Sequence, residues 1–303
     1  MRRALVAVAV LLLAGCADLE LFVANAASDR APCTAKGGLA YGSEPRQKLD
    51  IFSPFNPAHS RNHRPNCAAD GSAPVVVFFH GGGWTSDSKD EYRFVGARLA
   101  AKGWLAVVPS YRVYPKVRFP VFVDDAARAV AWVQAHAVEY GGDPARIFVM
   151  GHSSGAHLAL MVALDKSYLA AYGASANDIA GVIGLSGPYD FLPFANAKLR
   201  HVFAGAADPL VTQPIHFVRA DAPPILLLHG SADTVVAPQN SVNLAAAIAR
   251  AGGRVTLRIY SLRDHADLVA AFSKLKEDPA PVLHDLEVFI GKTPGVSERD
   301  RSR

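Results

Sequence analysis

Residues 147–155 read IFVMGHSSG, an apolar run that stops at two serines held between two glycines. A short apolar run bounded by turn residues reads as a buried strand. The following SGAHLALMVAL reads as a helix. A serine on so tight a strand-to-helix turn is pushed out from the backbone. Only small residues then fit two places before and two places after it, which gives G-x-S-x-G. That register separates the two serines. Ser153 has Gly151 and Gly155 at the required offsets, whereas Ser154 would need glycine where His152 and Ala156 stand. Ser153 is the candidate nucleophile, and the N–H of Ser154 is a candidate oxyanion donor.

Outward from this turn, apolar runs alternate with helical patterns. VVVFF (75–79), WLAVVPS (104–110), GVIGLSG (181–187), ILLLHG (225–230) and VTLRIY (255–260) read as strands, with QKLDIF as an earlier one. KDEYRFVGARLAAKG, VFVDDAARAVAWVQAHAVEYGG, SVNLAAAIARAGG and a C-terminal stretch read as helices, three of them stopping at glycine. Strands and helices in alternation predict an α/β fold, a mostly parallel sheet covered on both faces. With no internal repeat or linker, one α/β domain over 37–292 is expected. Residues 188–222 break the rhythm and read as a small cap insertion. Residues 293–303 read as a polar tail, and 53–74, with four prolines, as a surface loop.

A serine hydroxyl is a weak nucleophile that needs a base, and acyl transfer needs donors for a developing oxyanion. Parallel strands present their carboxyl ends to ligands at one edge, so the partners belong after other strands. HGGGW (80–84) comes directly after one strand. Its glycines free backbone N–H groups from side chains, which makes Gly82 and Gly83 oxyanion donors. A phosphate cradle is a weak reading, because no G-K-[ST] comes after it. His80 organises this loop on our reading. Asp233, in HGSADTVV, lies just beyond another apolar strand, ILLLHG, and reads as the acid, with a turn aspartate as the bland alternative. His265, in SLRDHADL, lies after the last strand and reads as the base; Asp264 and Asp267 beside it cap the next helix. The chain order Ser, Asp, His fits a nucleophile-elbow hydrolase.

These motifs, together with PSYR (109–112) and GGDPARIFVM (141–150), resemble the α/β-hydrolase superfamily from about Leu49 to Ile290. The look is that of HGGGW carboxylesterases, near hormone-sensitive-lipase-like esterases, kynurenine formamidases and isoprenylcysteine methylesterases. The resemblance implies hydrolysis of small to medium carboxylic esters, with no metal or organic cofactor. Two alternatives stay open, an arylformamidase or amidase on the same triad, and a non-catalytic ligand-binding protein of this fold. Trp84, Tyr189, Phe191 and Phe194 either line a substrate pocket or pack in the core.

The chain has 303 residues, is 50% hydrophobic and 19% charged, and carries a formal charge of +4. That is globular composition, without the dense Lys/Arg stripe of a nucleic-acid partner. It sets no oligomeric state. The N-terminus differs from the rest: MRR precedes ALVAVAVLLL, ten apolar residues, which suits a signal-peptide core and is too short to span a bilayer. Leu13-Ala14-Gly15-Cys16 resembles the lipobox of bacterial lipoproteins. The resemblance implies a signal peptide over 1–15, lipidation of Cys16, a tether over 16–36 and a cell-envelope membrane location. Ala17 after the cysteine favours the outer membrane. The alternative is a secretory signal cut after Ala24-Asn25-Ala26, which Asp18 and Glu20 weaken. Cys33 and Cys67 remain, either free or paired. A bridge of that span contributes roughly 3.5–4 kcal/mol in the loop-closure model.

Overall fold

The computed structural model describes residues 25, 35–53, 73–273 and 280–296. The signal-like segment, Cys16, Cys33, Cys67, most of the proline-rich loop and the end of the tail lie outside the described residues.

Among them, eight strands make one sheet: β1 (Ala35–Ala40), β2 (Lys48–Phe52), β3 (Ala73–Phe79), β4 (Leu105–Pro109), β5 (Gly142–His152), β6 (Ile179–Leu185), β7 (Ile225–Gly230) and β8 (Val255–Tyr260). Their order across the sheet is β1-β2-β4-β3-β5-β6-β7-β8. Strands β3 to β8 run parallel, while β2 lies antiparallel to both β1 and β4. The five longer helices are α1 (Arg93–Ala101), α2 (Val121–His136), α3 (Ser154–Leu164), α4 (Gln239–Arg250) and α5 (Val282–Lys292).

The apolar runs are continuous because both sheet faces are covered. Successive side chains of a strand point to opposite faces. Val75, Val77 and Phe79 therefore join one core with residues of α2, α3 and α4. Val76 and Phe78 join the other, with residues of α1 and α5. Residues of β4, β5 and β7 divide between the two cores in the same alternation. Helix α3 is buried along its whole length, which explains its lack of a polar face.

Strand β1 was not anticipated, and it begins at Ala35, inside the stretch read as a tether. Its pairing with β2 slips between Lys36 and Leu39, where Gly38 takes φ +72° and donates its N–H to Asp50 Oδ1 at 2.8 Å. A glycine bulge hides the alternation by which strands are recognised. Residues 188–222 hold a short helix, Ala197–Val202, and two 3-10 turns, Pro209–Thr212 and Pro214–Phe217.

Candidate active site

Four parallel strands, β3, β5, β7 and β8, end at the same sheet edge, and the loops leaving those four ends build the site. Ser153 sits at the end of β5 with φ 56° and ψ −123°, a conformation that costs on the order of 1–3 kcal/mol for a residue with a side chain. The surroundings hold it there. Its N–H donates to the Leu185 carbonyl of β6 at 2.9 Å, and its own carbonyl accepts from Ala156 and His157 at the start of α3. The two glycines are dictated by space. A Cβ on Gly151 would lie 2.2 Å from the Gly155 carbonyl, and one on Gly155 would lie 2.1 Å from the Phe79 carbonyl oxygen.

The two serines point different ways. Ser153 Oγ lies 2.9 Å from His265 Nε2. Ser154 is buried, and its Oγ faces the Tyr111 hydroxyl at 3.4 Å. His265 Nδ1 in turn lies 2.8 Å from Asp233 Oδ2. Ser153, His265 and Asp233, from three separate loops, thus form one hydrogen-bonded chain.

Asp233 is held by its own loop, since Oδ1 accepts the N–H groups of Val235 and Val236 at 2.9 and 2.8 Å. Burial alone would raise its pKa. Donors from His229, His265 and the Val236 N–H outweigh that penalty and hold the carboxyl well below the ordinary carboxylate range. The loop carrying His265 crosses that of Asp233: Ala232 donates its N–H to the Arg263 carbonyl, and Leu262 its N–H to Ser231 Oγ, both at 2.9 Å. Asp264 accepts the N–H groups of Ala266 and Asp267 at 2.9 Å, so it shapes the helix start and leaves the ring to Asp233.

The glycine loop after β3 lies against the serine. A Cβ on Gly81 would stand 3.5 Å from Ser153 Cβ. The Gly82 carbonyl accepts from Thr85 and Ser86, which closes the turn, and Gly82 and Gly83 both take positive φ, +102° and +59°. His80 is fully buried. Its Nδ1 meets the Gly81 carbonyl at 2.8 Å and its ring stacks on Tyr111 with centroids 4.3 Å apart. Burial lowers its pKa to about 4. The Tyr111 hydroxyl donates to the His80 carbonyl at 3.0 Å, so the pair braces the loop from beneath. PSYR is the sequence signal for this tyrosine.

Trp84 is buried, edge-on to His157 and Phe203 and stacked on Phe191, which is half-buried. Tyr189 is different. It is fully buried, its hydroxyl lies over Gly184 and Gly187, and its backbone N–H donates to Asn240 Oδ1. It has no surface to offer a substrate, so its pocket reading is corrected to core packing. The absence of side chains at the two glycines makes room for its ring, a relation between distant positions that the sequence does not display.

Two further histidines adjoin the chain. His152 Nε2 lies 3.0 Å from the His265 carbonyl, and the two rings are 4.8 Å apart. Burial first, and then repulsion from His265, lower its pKa to about 3, so it stays neutral. His229 is fully buried beside Asp233. Neither carries a motif of its own. Among the described residues, no three His, Cys, Asp or Glu side chains gather as a metal site requires.

A parallel sheet of this order, with a strained serine turned out at the end of its central strand, defines the α/β-hydrolase class. Within that class, the BD-FAE family model matches residues 64–248, more than half of the chain, and the chain belongs to that family. An isoprenylcysteine alpha-carbonyl methylesterase of Arabidopsis thaliana is 30% identical over 76% of the chain and 56% of its own length. LipM of Mycobacterium tuberculosis, described as a probable carboxylic ester hydrolase, is 31% identical over 68% of the chain and 49% of its own length. The chain therefore spans about half the length of these two relatives. Among solved structures, Thermogutta terrifontis esterase 2, phosphonylated by cyclosarin, superposes with a TM-score of 0.68 at 26% identity. That match covers 86% of this chain and 94% of the other.

Proposed function

We propose that the chain is a serine carboxylesterase acting through an acyl-enzyme. One observation carries the reading: Ser153 Oγ, His265 and Asp233 Oδ2 stand in series, at 2.9 and 2.8 Å. In that series His265 Nε2 takes the hydroxyl proton as Ser153 Oγ attacks the ester carbonyl carbon. Asp233 holds the proton on Nδ1 and stabilises the imidazolium that forms. The N–H groups of Gly82, Gly83 and Ser154 serve as donors to the oxyanion. Collapse breaks the C–O bond, and the alcohol leaves with the proton from His265. Water then attacks the acyl-enzyme with His265 again as base, releasing acid and restoring Ser153.

The esterase names of the relatives support an ester substrate. The phosphonylated neighbour supports a reactive serine, since organophosphonates react covalently with this class of nucleophile. Phe191, half-buried and backed by the buried Trp84 at the end of the glycine loop, is the apolar surface for an acyl or alcohol group. Turnover of p-nitrophenyl butyrate by the wild type, abolished in Ser153→Ala, tests the reading. Turnover of N-formylkynurenine in preference to the ester would redirect it to an amidase.

We further propose that Cys16 is acylated and tethers the enzyme to an envelope membrane. Each buried CH2 contributes about 0.8 kcal/mol, so two or more chains hold a soluble domain. Palmitate incorporation that survives Cys16→Ala would refute this.

A further inference from the structure

His229 lies at the end of β7, four residues before Asp233, and is fully buried. Its Nε2 lies 2.9 Å from the Val236 carbonyl and 3.1 Å from Asp233 Oδ2. Both neighbours are acceptors, so this nitrogen carries a hydrogen and presents it between them. Its Nδ1 lies 2.7 Å from the buried Ser241 Oγ of α4. With the hydrogen on Nε2, Nδ1 accepts the Ser241 hydroxyl, which fixes the tautomer. Asp233 Oδ2 therefore faces two imidazole N–H groups, that of His265 at 2.8 Å and that of His229. The Val236 residue whose carbonyl His229 holds also donates its N–H to Asp233 Oδ1 at 2.8 Å.

We propose that His229 is a positioning residue for the acid, locking the loop of Asp233 and drawing off part of the carboxylate charge that would otherwise act on His265. This rests on the triad reading above. The titratable groups around His229 are Asp233, with His265 and His152 beyond it; Ser241 and Val236 are neutral. Burial of the Asp233 carboxyl makes the second donor matter, because a low-dielectric site strengthens each charge-assisted contact. Losing it concentrates the carboxylate charge on His265 and stabilises its imidazolium. The base then stays protonated to higher pH.

The test compares His229→Gln with His229→Asn, two polar side chains of different reach. The glutamine amide reaches the place of Nε2, whereas the asparagine amide reaches only that of Nδ1. For each, kcat/KM for p-nitrophenyl butyrate is measured across pH, with thermal melting alongside. Expected for Asn is a loss on the order of tenfold to a hundredfold with the acid limb moved to higher pH, while Gln stays near wild type. In an Asp233→Asn background the two variants should become equal, since the group they act through is gone. Equal losses for Gln and Asn, an unmoved acid limb, or effects that add to Asp233→Asn would overturn the proposal. Should either variant fail to fold, Ser241→Ala, which removes the hydroxyl that holds Nδ1 and so loosens the ring against Asp233, is expected to move the limb the same way; an unmoved limb there would also overturn it. A wild type that fails to react with a fluorophosphonate would instead overturn the triad reading itself.

Discussion

Gly155→Ala probes how closely the serine turn and the glycine loop are fitted. The added Cβ would lie 2.1 Å from the Phe79 carbonyl oxygen and 2.4 Å from that of His80. Reaching even a tight 3.0 Å contact from 2.1 Å requires a separation of 0.9 Å between α3 and the end of β3. Neither side is a flexible side chain. One is the helix behind Ser153, and the other is the backbone from which the HGGGW loop departs. Overpacking of this kind costs about 1–3 kcal/mol of stability. The larger effect is on rate, because the shift moves oxyanion donors away from the nucleophile. A misplacement near 1 Å costs about a hundredfold. With p-nitrophenyl butyrate, kcat should fall by about that factor while the protein still melts cooperatively, several degrees lower. Wild-type kcat in a folded Gly155→Ala protein would refute the claim that this contact registers the loop against the serine.

Other perturbations separate the roles further. Asp233→Asn should lower kcat by about four orders of magnitude, because the amide favours the wrong tautomer of His265; stopped-flow ester hydrolysis measures it. The depressed folded pKa of Asp233 also fixes a sign. Its contribution to stability is complete above the ordinary carboxylate value of about 3.9 and is lost as pH falls through the lower folded value, so the advantage of wild type over Asp233→Asn in denaturant titrations should shrink below about pH 4. Ser154→Ala should keep kcat within a few-fold, since its hydroxyl faces Tyr111 and only its N–H faces the site on our reading. His80, His152 and His157 are buried with pKa values lowered to about 4, 3 and 4. Between about pH 6.5 and 4 the unfolded chain binds protons that these rings refuse, so stability falls with pH by about 1.4 kcal/mol per unit for each. His157→Gln should remove one such share from the slope of unfolding free energy against pH.

The parallel sheet was legible because burial on both faces leaves continuous apolar runs, and IFVM and ILLLHG each lie in an observed strand, while VTLRIY, largely exposed as the edge strand β8, showed itself by its apolar-polar alternation. The G-x-S-x-G register was legible because so tight a turn fixes the offsets of its glycines, although contacts within the turn force only Gly151, while Gly155 is forced by the distant end of β3. Chain order and strand ends also singled out Asp233 and His265, which the fold brings to Ser153. Features that depend on tertiary proximity were not legible. Strand β1 is masked by its glycine bulge. Tyr189 fits the core only because two other positions lack side chains. His229 looks like an ordinary strand end until α4 places Ser241 against one nitrogen and the turn returns Asp233 to the other. His152 is similarly silent, since its partner is a carbonyl more than a hundred residues away.

The central claim is that one hydroxyl, on the strained turn after β5, is the group that becomes acylated. Reacting the folded protein with a fluorophosphonate and locating the adduct by peptide mass spectrometry tests it most directly. The adduct should fall on Ser153 alone, persist in Ser154→Ala and vanish in His265→Ala. An adduct on Ser154, or equal labelling of Ser153→Ala and wild type, would contradict it.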